Sequence, residues 1–183
     1  EVWDTIGSAE NNGWLGFKYI ASRPKFIFLD ADDQGVQLHL EKTFPNGVGK
    51  ISDIDHDKKT YLFFTNEPWR RGSYYLYNDE TKQTREVIDL APHFKGLATT
   101  SVDEITYRAK DKTMIESYLT YPVGRATEEL PLIVYPHGGP FSRDWLSYDT
   151  FAQFWATRVY AVFQPNFRGS TGRGRTFEEI GYH

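Results

Sequence analysis

The chain has 183 residues, a net charge of −4, 39% hydrophobic and 16% aromatic residues, and no cysteine. No basic block is present, which argues against nucleic acid as a partner, and no apolar run is long enough for a membrane-spanning helix. Without cysteine this stretch holds no disulfide, thiolate metal site or cysteine nucleophile, and a soluble protein of either cytoplasm or periplasm fits.

The first half reads as antiparallel strands. Lys25 to Leu29 is a short apolar run, Asp30 to Gly35 a polar turn, and Val36 to Leu40 alternates apolar and polar residues as a half-buried strand does. Thr60 to Thr65 is a strand, Asn66 to Gly72 a loop, and Ser73 to Tyr77 the returning strand; a turn at Asn78 to Thr81 leads to a further strand at Thr84 to Ile88. Ile27 and Leu62 stand 35 residues apart, and Val36 and Tyr74 stand 38 apart. Propeller blades recur at roughly 40–50 residues, so two similar hairpins fit either a repeat of four-stranded blades or an ordinary β-meander.

Further along, Ile105 to Arg108 and Met114 to Leu119 predict a hairpin, and Pro122 to Glu129 a polar loop. The pattern then changes. Pro131 to Tyr135 is a continuous apolar strand, Tyr148 to Arg158 carries Phe151, Phe154 and Trp155 at helical spacing, and Val159 to Phe163 is a second apolar strand. Strand, helix, strand of this kind predicts a parallel sheet covered by helices. A helix is predicted from Thr176 to Ile180, with Thr176 as its cap.

The chemistry concentrates at the ends of these two strands. His137-Gly138-Gly139-Pro140 follows the first, where ligands bind in α/β sheets. Adjacent glycines let a backbone N–H face an oxyanion with no Cβ in the way, whereas a lone Gly-Gly-Pro would read as a simple chain reversal. Asn166-Phe167-Arg168-Gly169-Ser170-Thr171-Gly172 follows the second strand and reaches the same sheet edge. It has neither phosphate-binding glycine order. Arg168 stands two positions before Ser170 where a nucleophile elbow has Gly, so Ser170 and Thr171 read as turn residues and Arg168 as a charged brace. No Gly-x-Ser-x-Gly occurs in the chain.

These two motifs at this separation resemble the prolyl oligopeptidase family of serine peptidases, in its acylaminoacyl-peptidase and dipeptidyl-peptidase-like branch. The match runs from about Pro131 to Phe177. The resemblance implies an α/β-hydrolase domain joined to a β-propeller that restricts access to short peptides. It implies an oxyanion hole built on the N–H of Gly139, or alternatively Gly138, with His137, Pro140, Asn166 and Arg168 binding substrate or bracing the site. The Ser, Asp and His of the triad would all lie downstream, so His183, the last residue, is not the triad histidine.

The expected fold is therefore β-propeller blades followed by the start of a parallel α/β-hydrolase sheet. The expected domains are residues 1–95 as the end of a propeller, 96–130 as a linker hairpin and entry segment, and 131–183 as an incomplete catalytic domain. The fragment alone is expected to be inactive. No cofactor and no metal is expected; the partner is a peptide substrate, with neither nucleic acid nor membrane, and a homo-oligomer is left open. An esterase or lipase uses the same kind of turn, and a non-catalytic propeller binding module is a third reading.

Several patterns lack a companion. Asp30, Asp32, Gly35 and Glu41 fall at the first, third, sixth and twelfth positions of a calcium loop, but Gln34 occupies the fifth and the flanks read as strands. His39, His56 and His93 have no second ligand at metal spacing. Trp69-Arg70-Arg71-Gly72 reads as a solvated hairpin tip, and Glu128-Glu129 lies in the interdomain loop, so a role in binding a peptide amino terminus is not assigned to it.

Overall fold

The computed structural model describes residues 2–7, 13–124, 128–139 and 141–182. It forms two compact units, residues 2–97 and the chain from Ala98 onward.

In the first unit, β1 (Val2–Gly7), β2 (Trp14–Ile20) and β3 (Pro24–Phe28) make a three-stranded antiparallel sheet. Helix α1 (Ala31–Thr43) follows. Then β4 (Val48–Ile54), β5 (Thr60–Glu67), β6 (Arg70–Asn78) and β7 (Gln83–Asp89) form a four-stranded antiparallel meander in chain order. Tyr61 and Phe63 from β5, Tyr77 from β6 and Ile51 from β4 face one way and bury against Phe26 and Phe28 of β3 and Val36 and Leu40 of α1. Period-two alternation in β5 supplies this face, and the helix covers it.

Helix α1 corrects the sequence reading, because Val36 to Leu40 is helical and pairs with no strand. Asp30 caps the helix, its carboxylate accepting from the N–H groups of Asp32 and Asp33, with those two acids in the positive first turn. The buried stripe is Asp33, Val36, Gln37 and Leu40, spaced three and four apart, while Leu38 is 49% exposed. The hairpin repeat built on Ile27 and Val36 therefore does not exist; β3 pairs with β2 instead. Gln37, fully buried, ties the helix to β4: its amide donates to Gly49 C=O at 2.9 Å and accepts from Ile51 N–H at 3.1 Å.

The objection to a calcium loop that rested on flanking strands falls with that helix. Protein cations take two of the pattern's acids, Lys58 pairing with Asp30 at 2.9 Å and Lys25 with Glu41 at 2.9 Å. Asp33, outside the pattern, lies 3.3 Å from Lys58 Nζ and accepts from Tyr61 OH. Among the described residues no group of three or more acids, histidines or cysteines is arranged to hold a metal. The loop expected from Asn66 to Gly72 is also shorter than predicted. Glu67 faces Arg70 across a two-residue turn, Pro68-Trp69, and Arg70 reaches across β6 and β7 to Glu86 and Asp89.

In the second unit, β8 (Val102–Arg108) and β9 (Met114–Thr120) form the expected hairpin. It belongs to the same sheet as β10 (Leu132–Val134) and β11 (Ala161–Pro165), in the order β10-β11-β9-β8. β10 and β11 are parallel, joined through α2 (Thr150–Ala156), whereas β11 and β9 are antiparallel, so the sheet is mixed. β11 is buried on both faces except at Phe163, as its apolar run predicts. β10 is not: Leu132 is 55% and Val134 59% exposed at the end of the sheet. The buried residues of α2 are Ala152, Gln153 and Ala156, while Phe151 and Phe154 face outward. A short helix, α3 (Arg175–Glu179), is capped by Gly174 and not by Thr176.

Candidate active site

The parallel pairing of β10 with β11 sets the site, since both strands run in one direction and end at one edge. The ladder continues one residue past β10, with Tyr135 N–H donating to Phe163 C=O at 2.8 Å. The chain then enters the His137-Gly138-Gly139 turn, beside the loop that leaves β11.

His137 is the hub. One ring nitrogen, Nε2, lies 2.7 Å from Ser170 Oγ, and the other, Nδ1, lies 2.9 Å from Gly138 C=O. Its ring stacks on Phe167 with centroids 4.5 Å apart and planes 16° off parallel. Gly139 has φ +137, where a side chain is strained, and a Cβ there would meet Phe141 N at 2.8 Å. Gly138 has open space around its α-carbon. Among the described residues, no acceptor takes the backbone N–H of either glycine. Pro140 lies outside the described residues, as does His183.

Asn166 is buried at 1% exposure and spends its amide on one backbone segment: Oδ1 accepts from Asp144 N–H at 2.8 Å and Nδ2 donates to Asp144 C=O at 3.0 Å. It is thus a brace between the exit of β11 and the segment after Gly139. Arg168 turns instead to the β8–β9 turn and pairs with Asp111 at 2.9 Å. That hydrogen bond holds the Asp111 carboxyl well below the usual carboxylate range, although both groups are open to solvent.

Four residues to which sequence reasoning gave no role, Arg143, Glu116, Tyr118 and Asp144, complete the arrangement. The Arg143 guanidinium is buried and pairs with Glu116 at 2.8 Å, while Tyr118 OH donates to the same Glu116 oxygen at 2.7 Å. Burial pushes the Tyr118 hydroxyl strongly up, with the adjacent Glu116 acting in the same direction. Gly172, at φ +81, packs directly on Arg143; a Cβ would fall 2.7 Å from its Nη1. Asp144 has one carboxylate oxygen, Oδ2, buried with no hydrogen-bond partner among the described residues. Burial raises its carboxyl above the ordinary value, with His137 and Arg143 pulling the other way. A charged pair only a few residues beyond the Gly-Gly turn is the sequence signal that could have found Arg143 and Asp144.

Two glycine N–H groups at the end of a parallel strand, a histidine locked by two hydrogen bonds and a bracing asparagine define a polar strand-end site of α/β type. No family model matches the chain. It is 30% identical to dipeptidyl aminopeptidase BIII of Pseudoxanthomonas mexicana, over 81% of this chain and 23% of that protein. It is 33% identical to a probable dipeptidyl-peptidase 5 of Aspergillus flavus, over 96% of this chain and 25% of the relative. Among solved structures, Pyrococcus horikoshii acylaminoacyl peptidase superposes with a TM-score of 0.54 at 25% identity, over 70% of this chain and 20% of that one. The chain belongs to the prolyl oligopeptidase family of peptidases. It spans about a quarter of the length of these curated relatives.

Proposed function

We propose that these residues are part of a serine peptidase that cleaves short peptides through an acyl-enzyme. In this reading the β4–β7 meander is a propeller blade and β8–β11 with α2 opens an α/β-hydrolase domain. The observation that carries it is the turn at His137 to Gly139: two backbone N–H groups without an acceptor among the described residues, at the end of β10, with Gly139 held at a φ that glycine tolerates.

The serine lies in the chain of the parent enzyme beyond these residues, as does its histidine base. Its oxygen attacks the scissile carbonyl while the base removes its proton, and the carbonyl oxygen becomes an oxyanion. The Gly139 N–H donates to that oxyanion, with a second N–H coming from the residue after the serine. Collapse of the intermediate breaks the C–N bond, and the amine leaves with the proton. Water then cleaves the ester by the same route. Asn166 keeps the turn in place, and Arg168 braces the loop at its Asp111 end. Peptidase names among the relatives favour peptides over esters as substrate.

A fluorophosphonate probe tests this on the full-length enzyme. Covalent labelling of a serine in a Gly-x-Ser-x-Gly beyond residue 183, with peptide turnover exceeding ester turnover, is the expected result. No labelling and no turnover would leave a binding module, with Gly138 and Gly139 reduced to a turn.

A further inference from the structure

We propose that Ser170 is a positioning residue for catalysis, its buried hydroxyl locking His137 so that the Gly139 N–H stays aimed at the oxyanion; this rests on the peptidase reading above. Ser170 is 0% exposed, so no substrate reaches it and it is not a nucleophile. Its use is inside the protein.

Hydrogen-bond valence fixes how it acts. Gly138 C=O only accepts, so the proton of that contact sits on His137 Nδ1. In the neutral ring Nε2 is then the acceptor, and the Ser170 hydroxyl donates into it. Both ring nitrogens are thereby committed, one tautomer is selected, and Phe167 fixes the ring plane.

The consequence passes through a single peptide unit. Gly138 C=O and Gly139 N–H belong to the same planar trans group and point in opposite directions. Holding the carbonyl on His137 therefore turns the Gly139 N–H the other way. Neither glycine has a side chain to hold that plane, so the restraint comes from the ring, and the ring is held from Ser170. The loop that presents Ser170 is itself pinned. Ser170 N–H donates to Phe167 C=O at 3.0 Å, Thr171 N–H to Ser142 C=O at 2.9 Å, and Gly169 N–H to Phe177 C=O at 3.1 Å. A donor that acts on the transition state should affect turnover more than ground-state binding.

The test is kinetics of Ser170→Ala and His137→Phe in the full-length enzyme, with active sites counted by fluorophosphonate titration. His137→Phe keeps a ring against Phe167 and removes both hydrogen bonds. Loss of a whole oxyanion donor costs about 100- to 1,000-fold in kcat, so a misaimed one should cost about tenfold or more per titrated site, with KM changed less than about twofold. The double variant should lose no more than the worse single, because both substitutions cut one linkage. Unchanged turnover per titrated site, an equal loss in KM, or additive losses would overturn the proposal. So would a fall in the number of titratable sites with full turnover at those remaining, which is a folding role. A wild-type enzyme that neither labels nor cleaves peptides would sink the peptidase reading as well, whereas an active wild type with an indifferent Ser170→Ala sinks only this inference.

Discussion

Gly138 and Gly139 are adjacent and chemically identical, yet the structure makes different demands on them. At Gly139 an added methyl meets backbone, the N of Phe141 at 2.8 Å, and φ is +137, so neither rotation nor a side-chain shift relieves it. Gly139→Ala should cost about 1–3 kcal/mol of stability and lower turnover per active site. Gly138→Ala meets nothing within 4 Å and should leave the melting temperature unchanged, a contrast that paired thermal melts check directly. Asp144 allows a second test, with pH as the variable. Its carboxyl is raised by burial, so ionisation is less favourable in the folded state than in the unfolded one. That penalty is absent at low pH and grows as pH rises past the ordinary carboxylate value near about 4. Asp144→Asn carries no such charge, and a buried amide costs less than a buried carboxylate. The variant should melt higher than wild type at pH 7, with the gain vanishing by about pH 4. A variant less stable than wild type at pH 7, with the deficit shrinking toward pH 4, would show that the Asp144 carboxylate is paired in solution. At this scale the sequence showed the glycines, His137, Asn166 and Arg168, because their motifs are local. It did not show the Ser170–His137 contact, which spans 33 residues and exists only because β10 and β11 are parallel neighbours.

Helix α1 shows where local pattern misleads at the scale of an element. Val36, Leu38 and Leu40 alternate, and Gly35 looks like the end of a turn, so a strand is the natural reading. The helix wins because its buried stripe includes two polar residues, Asp33 and Gln37, that a hydrophobicity pattern discards. Each has specific partners in the strands below: Asp33 takes Tyr61 OH and Lys58, and Gln37 takes Gly49 and Ile51. Those partners become visible only after folding, whereas β5, β6, β8, β9 and β11 carry ordinary apolar signals and were legible except at their ends, β6 beginning at Arg70 and β11 at Ala161. Gln37→Ala leaves a buried N–H and a buried C=O unpaired and opens a small cavity, so a loss of about 2–4 kcal/mol is expected by chemical denaturation. The cap gives a milder, pH-dependent effect. Lys58 and the two first-turn N–H groups hold the Asp30 carboxyl below its ordinary value. Its contribution is present above about pH 4 and disappears as pH falls through the lowered folded value. Asp30→Ala should cost about 1 kcal/mol at pH 7 and nothing once wild-type Asp30 is protonated.

For the molecule as a whole, the decisive feature is the free side of β10. In the described residues β10 ends its sheet, pairing with β11 alone, and Leu132 and Val134 stand exposed on it, with Phe151 59% and Phe154 45% exposed on the neighbouring helix. An apolar edge with unpaired N–H and C=O groups is a template for another strand. The only charge on the run from Leu130 to Tyr135 would have to come from substitution, since all six residues are uncharged. The 183-residue chain, expressed by itself, should therefore self-associate, and Val134→Lys should reduce this by placing a charge on the edge at little cost to a side chain that is already 59% exposed. Light scattering coupled to size exclusion, over a range of concentrations, measures both. A wild-type chain that stays monomeric and melts in one sharp transition would mean that the β10 edge is covered in solution, and Val134→Lys would then destabilise the chain instead of solubilising it.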